Sequence, residues 1–227
     1  MSNFVQNNNR GIVREALKAD IAITPQENFV KGIYSLVDAA AVSRLALLRN
    51  EHGIVSSCKL RCCHCCRYHI LMNIAEAHTL SQYIKREFSV DHINDLRMRT
   101  QRWHEWDNAR RRRPSLANVA DKAELSDCDR YYCPLLEDGE CGVYPVRPMV
   151  CRTHFVSSDP LSCRAANDPE SVKKAAVVLT SVVTATSPFS TAIKDHIEDG
   201  GLDCSRSIML LPHWLAIEMG WEFAISL

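Results

Sequence analysis

The segment Cys58-Lys59-Leu60-Arg61-Cys62-Cys63-His64-Cys65-Cys66 decides how this chain folds, because it crowds five thiols into one short loop. Its spacing is C-x3-C-x2-C-C, with Cys63 as an additional thiol. The two-residue gap between Cys62 and Cys65 lets a tight turn direct two sulfurs at one centre, as in zinc knuckles and iron–sulfur loops. Neighbouring residues such as Cys65 and Cys66 generally project in different directions. Either one is a ligand and the other packs nearby, or the pair bridges two metals or two corners of a cluster.

A second group of cysteines follows later in the chain, beginning with the tripeptide Cys133-Pro134-Leu135. Its members are Cys133, Cys141, Cys151 and Cys163. Asp138-Gly139 is a turn signal, which predicts that Cys133 folds back toward Cys141. Pro145 and Pro148 stiffen the approach to the third of these cysteines, and a stiffer free chain loses less entropy when a site assembles.

Composition and charge narrow the class of protein. The chain has 227 residues and eleven cysteines, and 27 Lys+Arg residues balance 27 Asp+Glu residues. This balance argues against nucleic-acid binding, because affinity for phosphates depends on excess positive charge. The N-terminus shows no apolar signal core, and no window reaches the roughly 18–20 apolar residues of a membrane span. We therefore expect a cytoplasmic protein without membrane contact, whose reduced thiols serve metal or redox chemistry before disulfides.

Helical periodicity predicts a mainly α fold, with two irregular cysteine-rich loops clamped by metal and little or no sheet. Thr24-Pro25-Gln26-Glu27 starts the first helix with a capping box. The predicted helices span about residues 24–49, 73–88, 91–112, 168–182, 191–198 and 211–223. Extended chain is suggested only at Val143-Tyr144 and from Cys151 to Val156. We divide the chain into an N-terminal helical segment, 1–57, a cysteine-cluster region, 58–165, and a C-terminal helical segment, 166–227, packed on the same domain.

Arginines flank both cysteine groups and suit a metal centre. Four thiolates around Zn²⁺ or around a [4Fe–4S]²⁺ core leave a net charge of −2, which is costly to bury without compensation. Guanidinium groups could donate to sulfur and offset this charge. The flanking residues are Arg61, Arg67, Arg147 and Arg152. The alternative is that they are solvated surface residues. For the cysteines, ordinary buried thiols and structural disulfides are the competing interpretations.

The combined motifs resemble a bacterial family, the YkgJ-like cysteine-cluster proteins, also described as zinc- or iron-chelating CxxCxxCC domain proteins. The likeness rests on C-x3-C-x2-C-C, then C-P-L-L, then D-G-x-C-x-V-Y-x-x-R-P-x-x-C-R, between Cys58 and Cys163. It implies metal binding by Cys58, Cys62, Cys65, Cys66, Cys133, Cys141 and Cys151, with Cys163 as an eighth ligand. Glu76 resembles a glutamate often found after the first cluster, and we interpret it as a structural residue on a helix face.

The sequence departs from this pattern at three additional thiols, Cys63, Cys128 and Cys204. One branch of the family resembles flagellin lysine N-methylases, which are linked with S-adenosylmethionine chemistry. This chain is short for that branch and has no G-x-G-x-x-G loop after a predicted strand. Lysine methyltransferase activity is therefore the weakest of three hypotheses, and binding of S-adenosylmethionine by this protein would strengthen that hypothesis.

The identity of the metal is open at this point. Eight ligands could fill two sites, or one site with spare thiols. Zinc accepts four cysteines and often histidine in place of one, and His64, His69 and His154 lie near cysteines in sequence. Iron–sulfur clusters prefer all-thiolate loops, often with a proline beside a ligand, as at Cys133-Pro134. We favour a [4Fe–4S]-type cluster, with zinc as the alternative.

Two functional hypotheses follow, besides the methyltransferase. The first is a protein whose iron–sulfur cluster serves electron transfer, redox sensing or a protein-modifying reaction, and the second is an interaction module held together by structural zinc. Either hypothesis implies a protein partner or protein substrate. The run Arg110-Arg111-Arg112-Arg113 is interpreted as a solvated helix end, where cations oppose the negative pole of the helix dipole.

Overall fold

The computed structural model describes residues 26–59, 61–112, 132–164 and 176–223. This part of the chain is mainly helical, as predicted. Its helices are α1 (Gln26–His52), α2 (Ile74–Glu87), α3 (Val90–Arg112), α4 (Met149–Thr153), α5 (Leu161–Arg164), α6 (Thr180–Asp199) and α7 (Leu211–Glu218). The strands are β1 (Leu71–Met72), β2 (Leu136–Glu137), β3 (Glu140–Cys141) and β4 (Met209–Leu210). They form two antiparallel pairs, β1 with β4 and β2 with β3.

The core forms where α1 packs against α2, α4 and α6. In α1, Val30, Ile33, Tyr34 and Val37 are buried at the three- and four-residue spacing that places side chains on one helix face. Leu36 lies away from this face and is exposed. The predicted first helix is thus confirmed over the described residues, whereas its predicted cap at Thr24 lies outside them.

Helix α2 begins with a capping box. The side chain of Asn73 accepts a hydrogen bond from the Glu76 nitrogen at 3.0 Å, and the Glu76 side chain accepts from the Asn73 nitrogen. Satisfying both of these free amides stabilises the first turn. The predicted helix at 73–88 is therefore confirmed as α2, and the helix predicted at 91–112 is confirmed as α3.

The last helix docks through Trp214. Trp214 is 1% exposed, and its indole nitrogen donates to the carbonyl oxygens of Met72 and Ser207, at 3.1 Å each. The Leu211 nitrogen also donates to the Ile70 oxygen at 2.8 Å. These bonds, together with the β1–β4 pair, fix the chain that leaves the first cysteine loop against the C-terminal helix.

The helix predicted at about 168–182 is wrong over residues 176–179, and of its described residues only the last, from Thr180, are helical. Residues 176–179 are not helical, and α6 begins at Thr180 and includes the stretch predicted as a separate helix at 191–198. The reason is long-range pairing: the Leu179 nitrogen donates to the Phe155 oxygen at 2.8 Å, and Val178 forms a bridge with Val156. The extended chain predicted from Cys151 to Val156 is likewise confined to its end, since 151–153 belong to α4.

Within the described residues, no helix combines the length and apolar character needed to cross a bilayer. Helix α3 runs to Arg112, so the described arginines of the basic run do lie at a helix end.

Candidate metal centre

The first cysteine loop closes through a series of tight backbone turns. Arg61 takes a left-handed conformation at φ 67°, and a 3₁₀ helix follows over His64–Arg67. The Cys66 nitrogen donates to the Cys63 oxygen at 3.0 Å, and the Tyr68 nitrogen donates to the Cys65 oxygen at 3.0 Å. These three-residue hydrogen bonds hold Cys65 and Cys66 at consecutive positions of a tight helix, where successive side chains are rotated by roughly 120°.

The second cysteine loop is tied directly to the first. The Cys133 nitrogen donates to the Cys66 oxygen at 2.8 Å, across 67 residues of chain. The turn at Asp138 (φ 48°) and Gly139 (φ 80°) then folds β3 back onto β2 and pairs Cys141 with Leu136. Two successive left-handed residues suit this tight hairpin, and glycine adopts that conformation without steric cost. The predicted return of Cys133 toward Cys141 is confirmed.

The hairpin is anchored to α3 through Glu137. His92 Nε2 lies 2.7 Å from a carboxylate oxygen of Glu137, and Arg99 Nη2 pairs with the same carboxylate. Arg99 Nε also donates to the Pro134 oxygen at 2.8 Å. The segment that carries Cys133 and Cys141 is therefore held to α3 at two points before its turn.

Cys58 and Cys163 approach from another direction. Cys58 Sγ accepts a hydrogen bond from the Val156 nitrogen at 3.4 Å, while Ser57 bonds to the Val156 oxygen. Cys163 lies in α5, which packs on the 3₁₀ helix of the first loop, and the Tyr68 hydroxyl lies within hydrogen-bonding reach of its thiol. Thiols from both ends of the motif region thus converge on the first loop.

Burial and mutual repulsion disfavour the ionised form of most of these thiols. Burial, together with the neighbouring Cys141, raises the pKa of Cys133 to about 12. Burial is also the main reason that the pKa values of Cys141 and Cys151 are raised. Cys65 differs from these thiols, because the Cys66 thiol donates to it and lowers its pKa. A cation among these thiols would remove the repulsion and stabilise the thiolates.

Of the four predicted arginines, Arg147 and Arg152 lie where they can act on the cysteines. Arg147 lowers the pKa values of Cys65 and Cys141 by its positive charge. Arg152 is 2% exposed, and its guanidinium lies 4.0 Å above the Tyr34 ring and donates to Asp38 at 2.6 Å. Both are close to buried thiols and are held by other side chains.

Arg61 and Arg67 are engaged elsewhere. Arg61 pairs with Glu140 at the surface, where their side chains are 75% and 50% exposed. Arg67 is buried and donates to the Tyr132 hydroxyl at 2.6 Å. Neither observation supports the predicted role of these two residues beside sulfur.

The three candidate histidines occupy different surroundings. His69 packs against Trp103 and Trp106. His64 Nδ1 and His154 Nε2 are buried without a hydrogen-bond partner among the described residues. The His154 ring meets the Tyr68 ring edge-on, with 5.0 Å between centroids. An unpaired buried ring nitrogen suits a metal ligand when it is the unprotonated nitrogen, because its lone pair is then without a partner.

Glu76 has the structural role that the sequence indicated. It is 4% exposed, and besides capping α2 its carboxylate accepts from the Tyr34 hydroxyl and from the Met149 nitrogen. This last contact holds the start of α4, the helix that carries Cys151. Burial raises the pKa of Glu76, and the hydrogen bonds act against that shift.

The additional thiols separate into different groups. Cys63 lies beside Cys62 in the first loop, and Cys204 is buried in the main core beside Ser207. Cys128 lies outside the described residues. The ten described cysteines are free thiols, so none of them forms a disulfide with another.

Among the described residues, no three Cys, His, Asp or Glu side chains are already arranged to hold one metal ion. The donor set nevertheless fits a thiolate-bound metal, since free thiols from both loops converge beside compensating arginines. Rotation about the Cα–Cβ bond redirects a cysteine sulfur among three staggered positions without moving the backbone. Metal binding would therefore require side chains to turn toward a shared centre.

No protein-family model, curated protein or solved structure matches the chain. The fold and the thiol region alone define its class: a mainly helical protein in which two irregular cysteine loops meet.

Proposed function

We propose that this chain is a metal-binding cysteine-cluster protein that carries a [4Fe–4S]-type iron–sulfur cluster with a redox or protein-modifying role. The observation that supports it is the junction of the two loops, where the Cys66 oxygen accepts from the Cys133 nitrogen at 2.8 Å. Cys141 lies close enough to Cys133 to raise its pKa, and both of these thiols raise the pKa of Cys151. Four thiols from three separate segments thus share one region, as a cluster bound by four cysteines requires.

The surroundings of these thiols suit a negatively charged centre. Arg147 and Arg152 supply positive charge beside Cys141. Buried Val143, Val146 and Met149 pack in the same core as the cysteines of the second loop and exclude water from that side. A bound cluster would supply one-electron chemistry, and its potential would depend on hydrogen bonds and charge around the sulfurs. The residues of this chain would hold the cluster and determine the hydrogen bonding and the charge around its sulfurs.

Structural zinc in an interaction module is the second candidate. It is favoured by the buried, unpaired ring nitrogens of His64 and His154 beside the first loop, because zinc accepts mixed sulfur and nitrogen ligands. In that case the metal would hold the loops together without redox chemistry.

Anaerobic purification followed by an absorption spectrum and by analysis of iron, sulfide and zinc per chain tests both candidates. We expect a coloured protein with iron and sulfide in similar amounts. A colourless protein with stoichiometric zinc would overturn the iron–sulfur proposal in favour of the zinc module. A chain without either metal would exclude both candidates.

Substitution of ligands tests the assignment of residues. Cys141→Ala and Cys62→Ala are expected to lose metal and to lower stability, because ligation free energy is folding free energy in such sites. Cys204→Ala is the matched control, since it removes a buried thiol from the same core without touching either cysteine loop. It should lower stability modestly and leave the metal content unchanged. Unchanged metal in both loop variants would contradict the assignment.

A further inference from the structure

We infer that the adjacent residues Cys65 and Cys66 serve two different metal centres. The first centre comprises Cys58, Cys62, Cys65 and Cys163, and the second comprises Cys66, Cys133, Cys141 and Cys151. The inference rests on the proposed function, and it divides the eight candidate ligands into two complete sets of four thiols. Four thiolates are the usual complement of a tetrahedral zinc site or of a [4Fe–4S] cluster.

Backbone contacts define the second centre. The Cys66 oxygen accepts a hydrogen bond from the Cys133 nitrogen. The β2–β3 hairpin then folds Cys141 back toward Cys133. Cys151 follows on α4, whose first residue is held by Glu76. The thiols that act most strongly on Cys66, apart from its neighbour Cys65, are those of Cys133 and Cys141. None of these contacts involves the chain around Cys58 or α5.

A different set of contacts defines the first centre. The Val156 nitrogen donates a hydrogen bond to the Cys58 sulfur, and the Tyr68 hydroxyl lies within hydrogen-bonding reach of the Cys163 thiol on α5. The thiols whose charges act on Cys163 are those of Cys65, Cys58 and Cys62. The thiols that act on Cys62 are those of Cys65, Cys58 and Cys63. Cys65 also acts on Cys133, Cys141 and Cys151, and apart from it the thiols that act on the two groups do not overlap.

The two centres meet at the 3₁₀ helix. The thiol of Cys66 donates to Cys65, so the two sulfurs lie next to each other, and the other thiols that act on Cys66 are those of Cys133 and Cys141. We assign Cys65 to the first centre because Cys62 precedes it by the two-residue gap of a chelating turn. We assign Cys66 to the second centre because its carbonyl oxygen accepts the hydrogen bond from the Cys133 nitrogen. The vicinal pair is thus the boundary between two neighbouring sites.

The test compares Cys62→Ser and Cys133→Ser in the full chain, purified anaerobically and analysed for iron and zinc per chain. Each substitution removes one ligand from one centre. We expect each variant to retain part of the metal, and the amounts retained by the two variants should add up to the wild-type content. The double variant should retain none, and Cys204→Ser should retain all of it.

Cys163→Ser and Cys141→Ser repeat the test at other ligands of the same two centres, in case one variant fails to fold. Each should also retain part of the metal. Cys62→Ser combined with Cys163→Ser should retain as much metal as Cys62→Ser alone, because both ligands belong to the first centre, whereas Cys163→Ser combined with Cys141→Ser should retain none. If a folded single variant loses all metal, or if the Cys62→Ser/Cys163→Ser variant retains none, the division is overturned while metal binding itself stands. If the wild-type chain holds no metal, the proposed function fails, and the inference fails with it.

Discussion

Oε1 of Glu76 accepts a hydrogen bond of 2.7 Å from the backbone nitrogen of Met149, joining helices that are 73 residues apart. The bond places the start of α4 against the first turn of α2, so that Cys151 is positioned by a residue outside either cysteine loop. The same carboxylate oxygen also receives the Tyr34 hydroxyl from α1 at 3.2 Å. One buried side chain thus connects three helices behind the candidate metal centre.

Glu76→Ala is expected to lower the free energy of unfolding by about 1–3 kcal/mol, because it leaves the buried Met149 amide and the Tyr34 hydroxyl without an acceptor. Chemical denaturation of the metal-free protein would measure this change. Glu105→Ala is the control, since Glu105 is exposed and, among the described residues, accepts a side-chain hydrogen bond only from Gln101 in the same helix. Equal effects of the two substitutions would contradict the connecting role of Glu76.

The pH dependence of stability provides a second test of Glu76. Burial raises its folded-state pKa above the ordinary value of 4.5, so the folded protein binds this proton more tightly than the unfolded chain does. The contribution of Glu76 to stability is therefore greatest below pH 4.5 and falls as the pH rises through the raised pKa. In Glu76→Gln, which cannot ionise, this fall should be absent from denaturation curves. A variant with the same slope as the wild type over that window would show that the carboxyl group is not the cause.

Arg152→Lys should destabilise the region around Cys151. Arg152 donates through Nε to the Arg147 oxygen at 2.8 Å, and its other nitrogens donate to the Pro145 oxygen and to Asp38. A lysine ammonium lacks the planar fork that serves these acceptors together. We expect a loss of about 1–3 kcal/mol for the acceptors left unpaired.

The matched control for that substitution is Arg206→Lys. Arg206 and its partner Asp203 are exposed, at 61% and 50%, and such surface pairs contribute about 0–1 kcal/mol. Thermal unfolding would measure the stability that each of the two variants loses relative to the wild type. A loss in Arg206→Lys as large as that in Arg152→Lys would argue against a special role for the buried guanidinium.

Glu137→Ala is expected to loosen the hairpin that carries Cys141. It removes the shared partner of His92 and Arg99, which tie the hairpin to α3. Hydrogen exchange of the Gly142 amide, which donates to the Leu135 oxygen at 2.9 Å, should accelerate several-fold. Glu140→Ala, which breaks only the exposed pair with Arg61, should leave that amide protected. Equal exchange in the two variants would exclude the anchoring role of Glu137.

Features that depend on neighbouring residues could be predicted from the sequence. The Asn73–Glu76 capping box and the Asp138-Gly139 turn each involve groups within a few residues of one another. Their geometry follows from local hydrogen bonding and backbone sterics. The turn lies where the sequence predicted it, and the capping box begins the helix predicted from residue 73. The start of α6 could not be predicted in this way. Val178 is not helical because it forms an antiparallel β-bridge with Val156, which is distant in the chain.

By itself, the sequence determined the helical class of this protein and the two loops in which its thiols are concentrated, because periodicity, caps and turns are properties of short segments. Tertiary structure alone decided that Cys133 lies against Cys66, that Cys163 lies with Cys58 and Cys62, and that Glu76 holds the helix of Cys151. These relationships join residues far apart in the chain. They arise only when helix packing brings the segments together, and local spacing carries no information about that packing.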